Sequence, residues 1–168
     1  MKANTLNDVL EHEMHDLRDA EKQILEALPK VIGAVSSPKV KEALQGHQKL
    51  TEQHLTRLDR AFKKLGIEPN GQHCKGMEGL IKEGEDVIKA EGSGAAKDAA
   101  IIGATQRVEH YEMAAYGCAR THARQRGEMD VAEILLLTLE EEGQADQRLT
   151  HLAEYNVNLE AAGAKTRK

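Results

Sequence analysis

Four long stretches of the chain carry apolar residues three and four positions apart, the spacing that places side chains on one face of an α-helix. The first stretch begins after Asn4 or Thr5, either of which can cap a helix, and Pro29 is expected to kink or stop it. The second begins at Ser37-Pro38, a cap followed by proline at the first helical position, and ends at Gly66.

Two more long helices follow an extended connection. Glycine and proline between residues 66 and 76 are typical of a loop, and a weaker pattern predicts a short, mostly exposed helix from Met77 to Glu91. The third long helix runs from about Ala95 to Arg126, and the fourth has its apolar face between Val131 and Leu152. The order predicts an all-α, up-and-down bundle with a short fifth helix in a long crossover. We expect one bundle over residues 1–160 and a disordered basic tail at 161–168.

The composition also favours helices. Of the 168 residues 40% are apolar but only 2% aromatic, with one Phe, three Tyr and no Trp. A core of Leu, Ile, Val, Ala and Met suits closely packed helices better than a sheet, which favours aromatic and β-branched side chains.

Charge and cysteine content exclude several classes of protein. A net charge of −5 argues against nucleic acid as the main partner. We expect a cytoplasmic protein without a membrane partner, because no apolar run approaches the ~20 residues of a membrane span and the first residues lack the apolar core of a secretory signal. Two cysteines are too few for a disulfide framework. Cys118 is expected to be a small core residue. Cys74 follows His73 in a glycine-rich connection and is a candidate for a reactive thiol.

The apolar faces of the four long helices are interrupted near their middles by residues of metal-ligand type. A lone Glu there can lie at the edge of the face and reach water, a lone His can be a hydrogen-bonded core residue, and the acidic run at 140–142 can be solvated. Four interruptions at similar depth are harder to explain separately, because each buried charge carries its own cost. The residues are Glu21 in the first helix, His47 and His54 in the second, Glu109 and Glu112 in the third, and Glu142 with Asp146 in the fourth.

A shared metal centre would explain all four interruptions. Divalent cations supply the compensating charge, and oxygen ligands with one or two His suit iron or manganese. Ferritin-like bundles build such di-metal sites from a Glu on each of two helices and a Glu-x-x-His on each of the other two. This chain lacks that motif in its second and fourth long helices, so Asp146 and His47 or His54 would have to take over, with Glu52 as a nearby alternative. Without metal, burial and mutual repulsion are expected to raise the pKa values of Glu21, Glu109, Glu112 and Glu142.

The chain resembles the YciE/YciF group of ferritin-like bacterial stress-response proteins from about Leu6 to Asn158. The resemblance implies a fold similar to rubrerythrin and bacterioferritin, a homodimer, a role in stress and a di-metal centre. The segments that carry it are 19–23, 27–29, Cys74 with 77–81, the run Gln106 to Glu112, 115–117, and 138–142 with Asp146 and 149–150.

The resemblance also implies a ligand set. Glu21, Glu109, Glu112, Glu142 and Asp146 match its candidate positions. The second long helix departs from the family pattern, since His-Leu-Glu-Glu-Thr is replaced by His47-Gln-Lys-Leu-Thr51. Glu52 or His54 would therefore have to substitute, and the composition of the second metal site is expected to differ from that of the family.

The leading functional hypothesis is a protein with two divalent ions per chain, iron or manganese, that handles peroxide or dioxygen or sequesters iron during stress. As an enzyme it would be a di-metal oxidoreductase, for which the sequence assigns no catalytic residue. Tyr111 and Tyr116 are candidates for hydrogen-bond partners of the centre. The alternative is a metal-free structural or protein-interaction bundle acting as a dimer, with its acidic positions either left over without a function or facing a dimer interface.

Overall fold

The computed structural model describes residues 3–69, 71 and 73–163 of the chain. Four long helices and a short one in the crossover confirm the predicted bundle, and no strand occurs in these residues. Nor does any helix among them combine the length and apolar character needed to cross a membrane. The elements are α1 (Leu6–Ala34), α2 (Pro38–Leu65), α3 (Lys75–Lys89), α4 (Ala95–Gln125), α5 (Met129–Leu152), a π-helical turn (Ala153–Val157) and α6 (Asn158–Ala161).

The helix ends follow local chemistry. Thr5 caps α1 through a capping box, in which its hydroxyl accepts from the Asp8 amide while the Asp8 carboxylate accepts from the Thr5 amide. Ser37 caps α2 with proline at the next position. Gly66 ends α2 at φ 67°, a left-handed conformation that glycine adopts without a Cβ penalty.

Three local expectations need correction. Of the kink or stop expected at Pro29, the stop does not occur: the exposed proline ring lies on the outer face and α1 continues to Ala34. Gly76 belongs to α3, which begins at Lys75, and not to a loop; Asn70, expected in the same loop, lies outside the described part of the chain. Cys118 is exposed, since the buried face of α4 passes through Tyr116 and Ala119 instead.

The bundle core is two apolar clusters at opposite ends with a polar layer between them. α1 packs against α2 and α4, and α5 packs against α2 and α4, so each long helix has two of the other long helices as neighbours. One end is filled by side chains such as Leu17, Phe62 and Leu135. The other end is filled by side chains such as Leu44 and Ile101. Burying these side chains fixes the depth of the polar residues between them.

The crossover returns the chain to the bundle and packs α3 on α1 and α4. Its attachment depends on two acids of α1, Asp19 and Asp16. Asp19 accepts from the Cys74 amide at 2.7 Å, and Asp16 accepts from the Tyr111 hydroxyl at 2.6 Å and from the Cys74 thiol at 3.2 Å. Burial raises the pKa of the Cys74 thiol above its ordinary value, although the Tyr111 hydroxyl opposes this, so Cys74 is a poor candidate for a reactive thiol.

The fourth long helix extends further than its apolar pattern. A π-helical turn at Ala153–Val157 and the short α6 carry the helical chain to Ala161. Val157 is buried in the second apolar cluster. The predicted basic tail therefore begins within a helix at 161, and its residues 164–168 lie outside the described part of the chain.

Gly76 allows the close approach of α3 to Tyr111. A Cβ at this position would lie 2.8 Å from Tyr111 Cε2, and the ring is held by Asp16 and Cys74. We expect Gly76→Ala to lower the free energy of unfolding by about 1–3 kcal/mol, as overpacking does. Urea unfolding followed by circular dichroism measures this.

Gly79 provides the matched control one turn away. A Cβ there meets no described atom within 4 Å, so Gly79→Ala should raise stability by about 0.5–1 kcal/mol through helix propensity. Equal effects of the two substitutions would show that Tyr111 does not constrain α3.

Candidate metal centre

Six ionisable side chains meet in the polar layer, and each is at most 6% exposed. The two His of α2 are seven residues apart, two turns on one helical face, and the two Glu of α4 are three apart. The apolar clusters above and below hold the helices so that these faces meet. The six are Glu21 from α1, His47 and His54 from α2, Glu109 and Glu112 from α4, and Glu142 from α5.

The first set of potential ligands, here called the His47 group, consists of His47, Glu109, Glu112 and Glu142. One ligand atom from each lies within 4.8 Å of those from the others. His47 Nε2 is 3.5 Å from Glu109 Oε1 and 4.0 Å from Glu142 Oε2. The group offers one nitrogen and three carboxylates to a cation between them.

The second set, here called the His54 group, consists of Glu21, His54 and Glu142. His54 Nδ1 lies 2.9 Å from Glu142 Oε1 and 3.2 Å from Glu21 Oε1. Glu142 belongs to both groups, so one carboxylate lies between two potential cation positions. This is the position of a bridging ligand in a di-metal site.

Two outer residues hold the His54 ring. Glu141 Oε2 lies 2.9 Å from His54 Nε2, and Arg57 binds the same carboxylate through both terminal nitrogens. A carboxylate on the far nitrogen of a histidine fixes the ring and leaves the other nitrogen for a metal. Sequence reasoning noted Glu141 only as a flanking acid and missed Arg57, because nothing in their spacing shows that α2 and α5 bring them together.

Tyr116 orients another carboxylate of the centre. Its hydroxyl donates to Glu21 Oε1 at 2.5 Å, and both residues are completely buried. Tyr111 lies outside the centre, bonded to Asp16 and Cys74 beneath α3. Of the two tyrosines considered from sequence, the structure brings only Tyr116 to the six ionisable residues.

Two predicted ligands are not brought to the centre. Glu52 is exposed on the outer face of α2, one step off the face that carries His47 and His54. Asp146 is half-buried one turn beyond Glu142, where it accepts from the Gln106 amide at 2.9 Å and lies 3.3 Å from His110 Nε2. Neither residue belongs to the His47 or the His54 group.

The polar atoms of the centre lack partners to an unusual degree. Both carboxylate oxygens of Glu109 and Glu112, and both ring nitrogens of His47, have no hydrogen-bond partner in the described part of the chain, and Glu142 has only its 2.9 Å contact with His54 Nδ1. Buried polar atoms are normally paired, and an unpaired buried carboxylate is costly. A divalent cation would satisfy these atoms together, and carboxylate with imidazole is a donor set for iron or manganese. The residues present therefore fit a metal.

The pKa values of the carboxylates differ according to their neighbours. Burial, with repulsion from Glu142, raises the pKa values of Glu109 and Glu112 well above the ordinary range. Burial also raises the pKa of Glu21, although His54 opposes the shift. The expected rise at Glu142 was wrong: burial is the largest effect and favours a rise, but His54, His47 and Glu109 together outweigh burial and lower the pKa of Glu142.

The two histidines shift in opposite directions. Burial lowers the pKa of His47, so this ring is held neutral and ready to bind a cation. Burial acts in the same direction on His54, but the carboxylates of Glu142 and Glu21 outweigh it and raise the pKa to about 10. In the metal-free protein His54 and Glu142 therefore form a buried ion pair.

Comparison with known sequences places the chain in a family. The family model described as "Domain of unknown function (DUF892)" matches residues 5–162. Protein YciF of Escherichia coli K12 is 40% identical to this chain over 162 residues, which cover 96% of this chain and 98% of YciF.

Solved structures agree with the fold. The crystal structure of the E. coli stress protein YciF matches with a TM-score of 0.90 and 39% identity, covering 93% of this chain and 99% of that one. A Rhodopseudomonas palustris protein, YcfI, described as a candidate structural protein, matches with a TM-score of 0.85 and 37% identity, covering 88% and 94%. A Xanthomonas campestris protein at 18% identity and a TM-score of 0.74, covering 95% and 98%, shares the fold.

The raised pKa values predict how the stability of the metal-free protein depends on pH. Glu109 and Glu112 are raised from 4.5, and His54 is raised from 6.5, so each folded pKa exceeds its unfolded value. Such groups stabilise the fold below the unfolded pKa and lose that contribution as pH rises through the folded pKa. The lowered pKa of His47 acts in the opposite direction up to about pH 6.5, its unfolded value, and that of Glu142 acts only at lower pH, so the raised groups dominate in the upper part of the window from pH 6.5 to 8.5.

We therefore expect the metal-free protein to lose stability between pH 6.5 and 8.5, by up to about 1.4 kcal/mol per pH unit for each proton retained by folding. Urea unfolding in the presence of chelator measures the slope. Glu112→Gln removes one of the raised carboxyls and should reduce it. Stability that is flat or rises across this window would contradict the raised pKa values of both His54 and the carboxyls, and an unchanged slope in Glu112→Gln would show that the Glu112 carboxyl is already ionised in the folded state.

Proposed function

This chain belongs to the DUF892 family, and from that premise we propose that it binds two divalent ions, iron or manganese, in the middle of its bundle. The observation that supports this most strongly is the set of unpartnered buried oxygens and nitrogens that converge there. The E. coli relative is described as a stress protein, and we assign this chain to the same class of role. Its chemistry would be the handling of peroxide or dioxygen, or the storage of iron.

The residues would form two neighbouring ion-binding positions. His47, Glu109 and Glu112 would hold one ion, Glu21 and His54 the other, and Glu142 would contact both. When bound, the pair of ions supplies Lewis-acid and one-electron redox chemistry toward small oxygen species. Tyr116 orients Glu21, Glu141 orients His54, and the apolar clusters limit the access of bulk water.

The proposal takes account of the departure of α2 from the family pattern. The two acids absent from the His47-Gln-Lys-Leu-Thr51 segment leave His47 and His54 as the α2 side chains that face the centre. The buried hydroxyl of Thr51 donates to the backbone oxygen of His47, so it needs no metal to satisfy it. Two subsites therefore remain possible with one histidine each.

A metal-free structural role is the competing proposal, favoured by the description of the R. palustris relative. That role would explain the fold, but it would not explain why the protein buries charged side chains at a cost in folding free energy. The acids are buried inside the bundle of a single chain, so they do not face a dimer interface. A purely structural bundle would be served better by apolar residues at these positions, since replacing buried charges with them is often stabilising.

Metal stoichiometry of isosteric variants tests the proposal. Wild-type protein freed of metal should bind about two equivalents of Fe(II) or Mn(II), one per ligand group. Glu112→Gln and Glu21→Gln each affect one group and should retain one equivalent, while Glu142→Gln affects both and should bind least. Anaerobic titration with metal analysis after gel filtration gives these numbers.

Glu52→Gln is the matched control, because this α2 acid is exposed and lies outside both groups. Glu52→Gln should bind as many equivalents of metal as the wild-type protein. The metal proposal is wrong if wild-type protein retains no metal at micromolar concentrations, or if Glu52→Gln loses as much as Glu142→Gln. Saturation of the wild type at one equivalent would mean that only one of the groups binds.

The support of His54 by Glu141 can be tested separately. Glu141→Gln removes the charge that faces His54 and Arg57, and loss of such an outer partner typically weakens metal binding by about 10–100-fold. Competition against a calibrated chelator measures the change. Glu140→Gln alters the adjacent exposed acid and should leave affinity unchanged; equal affinities for the two variants would contradict the role given to Glu141.

A further inference from the structure

The centre is reached through two openings of different character. One is a cavity of about 60 Å³ between α1, α3 and α4, and the other is a groove of about 490 Å³ between α2 and α5. They share two lining residues, His47 and Glu109, both of which belong to the His47 group. Each opening therefore leads to the same proposed ion from a different side.

The walls of the smaller cavity are apolar along their length. Side chains such as Ile24, Leu28, Ile81 and Val108 line it. The hydroxyl of Thr105, which also lines it, already donates to the Ile101 backbone oxygen at 3.0 Å. No polar group in the middle of the cavity is available to bind a charged or hydrogen-bonding molecule.

Polar lining is confined to the two ends of this cavity. Lys30 of α1 and Glu85 of α3 form an ion pair at 2.8 Å on the outer side, where both are partly exposed. His47 and Glu109 form the inner end. The outer pair satisfies its own charges across the junction of α1 and α3, so the available ligand atoms lie at the inner end.

The groove between α2 and α5 differs in size and lining. It includes Glu141, Gln144 and Arg148 together with the shared His47 and Glu109. Ions and hydrogen-bonding molecules can exchange their water for these groups, which the smaller cavity does not offer. The groove is therefore the route for charged and polar species.

We propose that the cavity beneath α3 admits small uncharged apolar molecules, of the size of dioxygen, to the metal centre, while metal ions and polar molecules enter by the groove. An apolar cavity of roughly 150 Å³ stays dry and takes up benzene or xenon, and the present one is less than half as large. A cavity volume of this size holds about two or three non-hydrogen atoms. The passage of dioxygen to bound metal rests on the proposed metal site, but the binding of an apolar molecule in the cavity does not.

Xenon serves as the probe for the cavity, since it binds without metal or reaction. Gly84 lines the cavity on α3 and Gly46 lines the groove on α2, so Gly84→Leu and Gly46→Leu are matched helix substitutions. Xenon-pressurised crystals of the metal-free protein should show xenon beneath α3 in wild type and Gly46→Leu, and loss of it in Gly84→Leu. Absence of xenon from this cavity in wild type would overturn the proposal.

A second substitution that fills the cavity keeps the test valid if Gly84→Leu does not fold. Ala27→Leu enters the same cavity from α1 and should also abolish xenon binding. If xenon is retained beneath α3 by both folded variants, the assignment of the cavity is wrong.

The route is tested on protein loaded with Fe(II). All variants should bind the same amount of iron, and Gly84→Leu should react more slowly with dissolved dioxygen than wild type while reacting unchanged with hydrogen peroxide. Gly46→Leu should show the reverse preference. Equal slowing with both oxidants would refute separate routes, whereas failure of every protein to bind iron would refute the metal proposal and leave the xenon result to decide the cavity.

Discussion

Burial of an ionisable layer between two apolar clusters is the constraint on which the rest of this structure depends. The clusters fix the depth of each long helix, and that depth brings Glu142 of α5 into contact with His54 of α2. This pair supplies the charge balance that Glu109 and Glu112 lack, which explains why the pKa of Glu142 is lowered while theirs are raised. An added cation would extend the same compensation to the remaining carboxylates.

The outer parts of the fold serve this layer. Glu141 and Arg57 position His54 from one side, and Tyr116 positions Glu21 from another. The crossover closes the face between α1 and α4, where Asp19 holds its first residues and Met77 packs inward. Because α3 covers this face and the face between α2 and α5 remains grooved, the two sides of one centre differ in polarity. A bundle without the crossover helix would lack that difference.

Particular residues show where sequence reasoning succeeded and where it failed. The apolar faces of α1, α2 and α5 matched their spacing nearly residue by residue, and these faces carry Glu21, His47, His54 and Glu142. On α4, Val108 is only partly buried and packs toward α3, while Glu109 and Glu112 lie fully on the buried face. The apolar pattern of this helix is less regular because α4 packs on α3 as well as on α1 and α5.

The sequence by itself determined the four long helices, the caps of the first two, the crossover helix and the register of most ligand candidates, because helix periodicity and capping are local in the chain. It also led to the family, through motifs spread over nearly its whole length. Tertiary structure alone decided that Glu52 points to solvent, that Asp146 pairs with Gln106, and that Glu142 is shared by two ligand groups. These facts depend on distances between helices that are far apart in sequence, and no local pattern contains those distances.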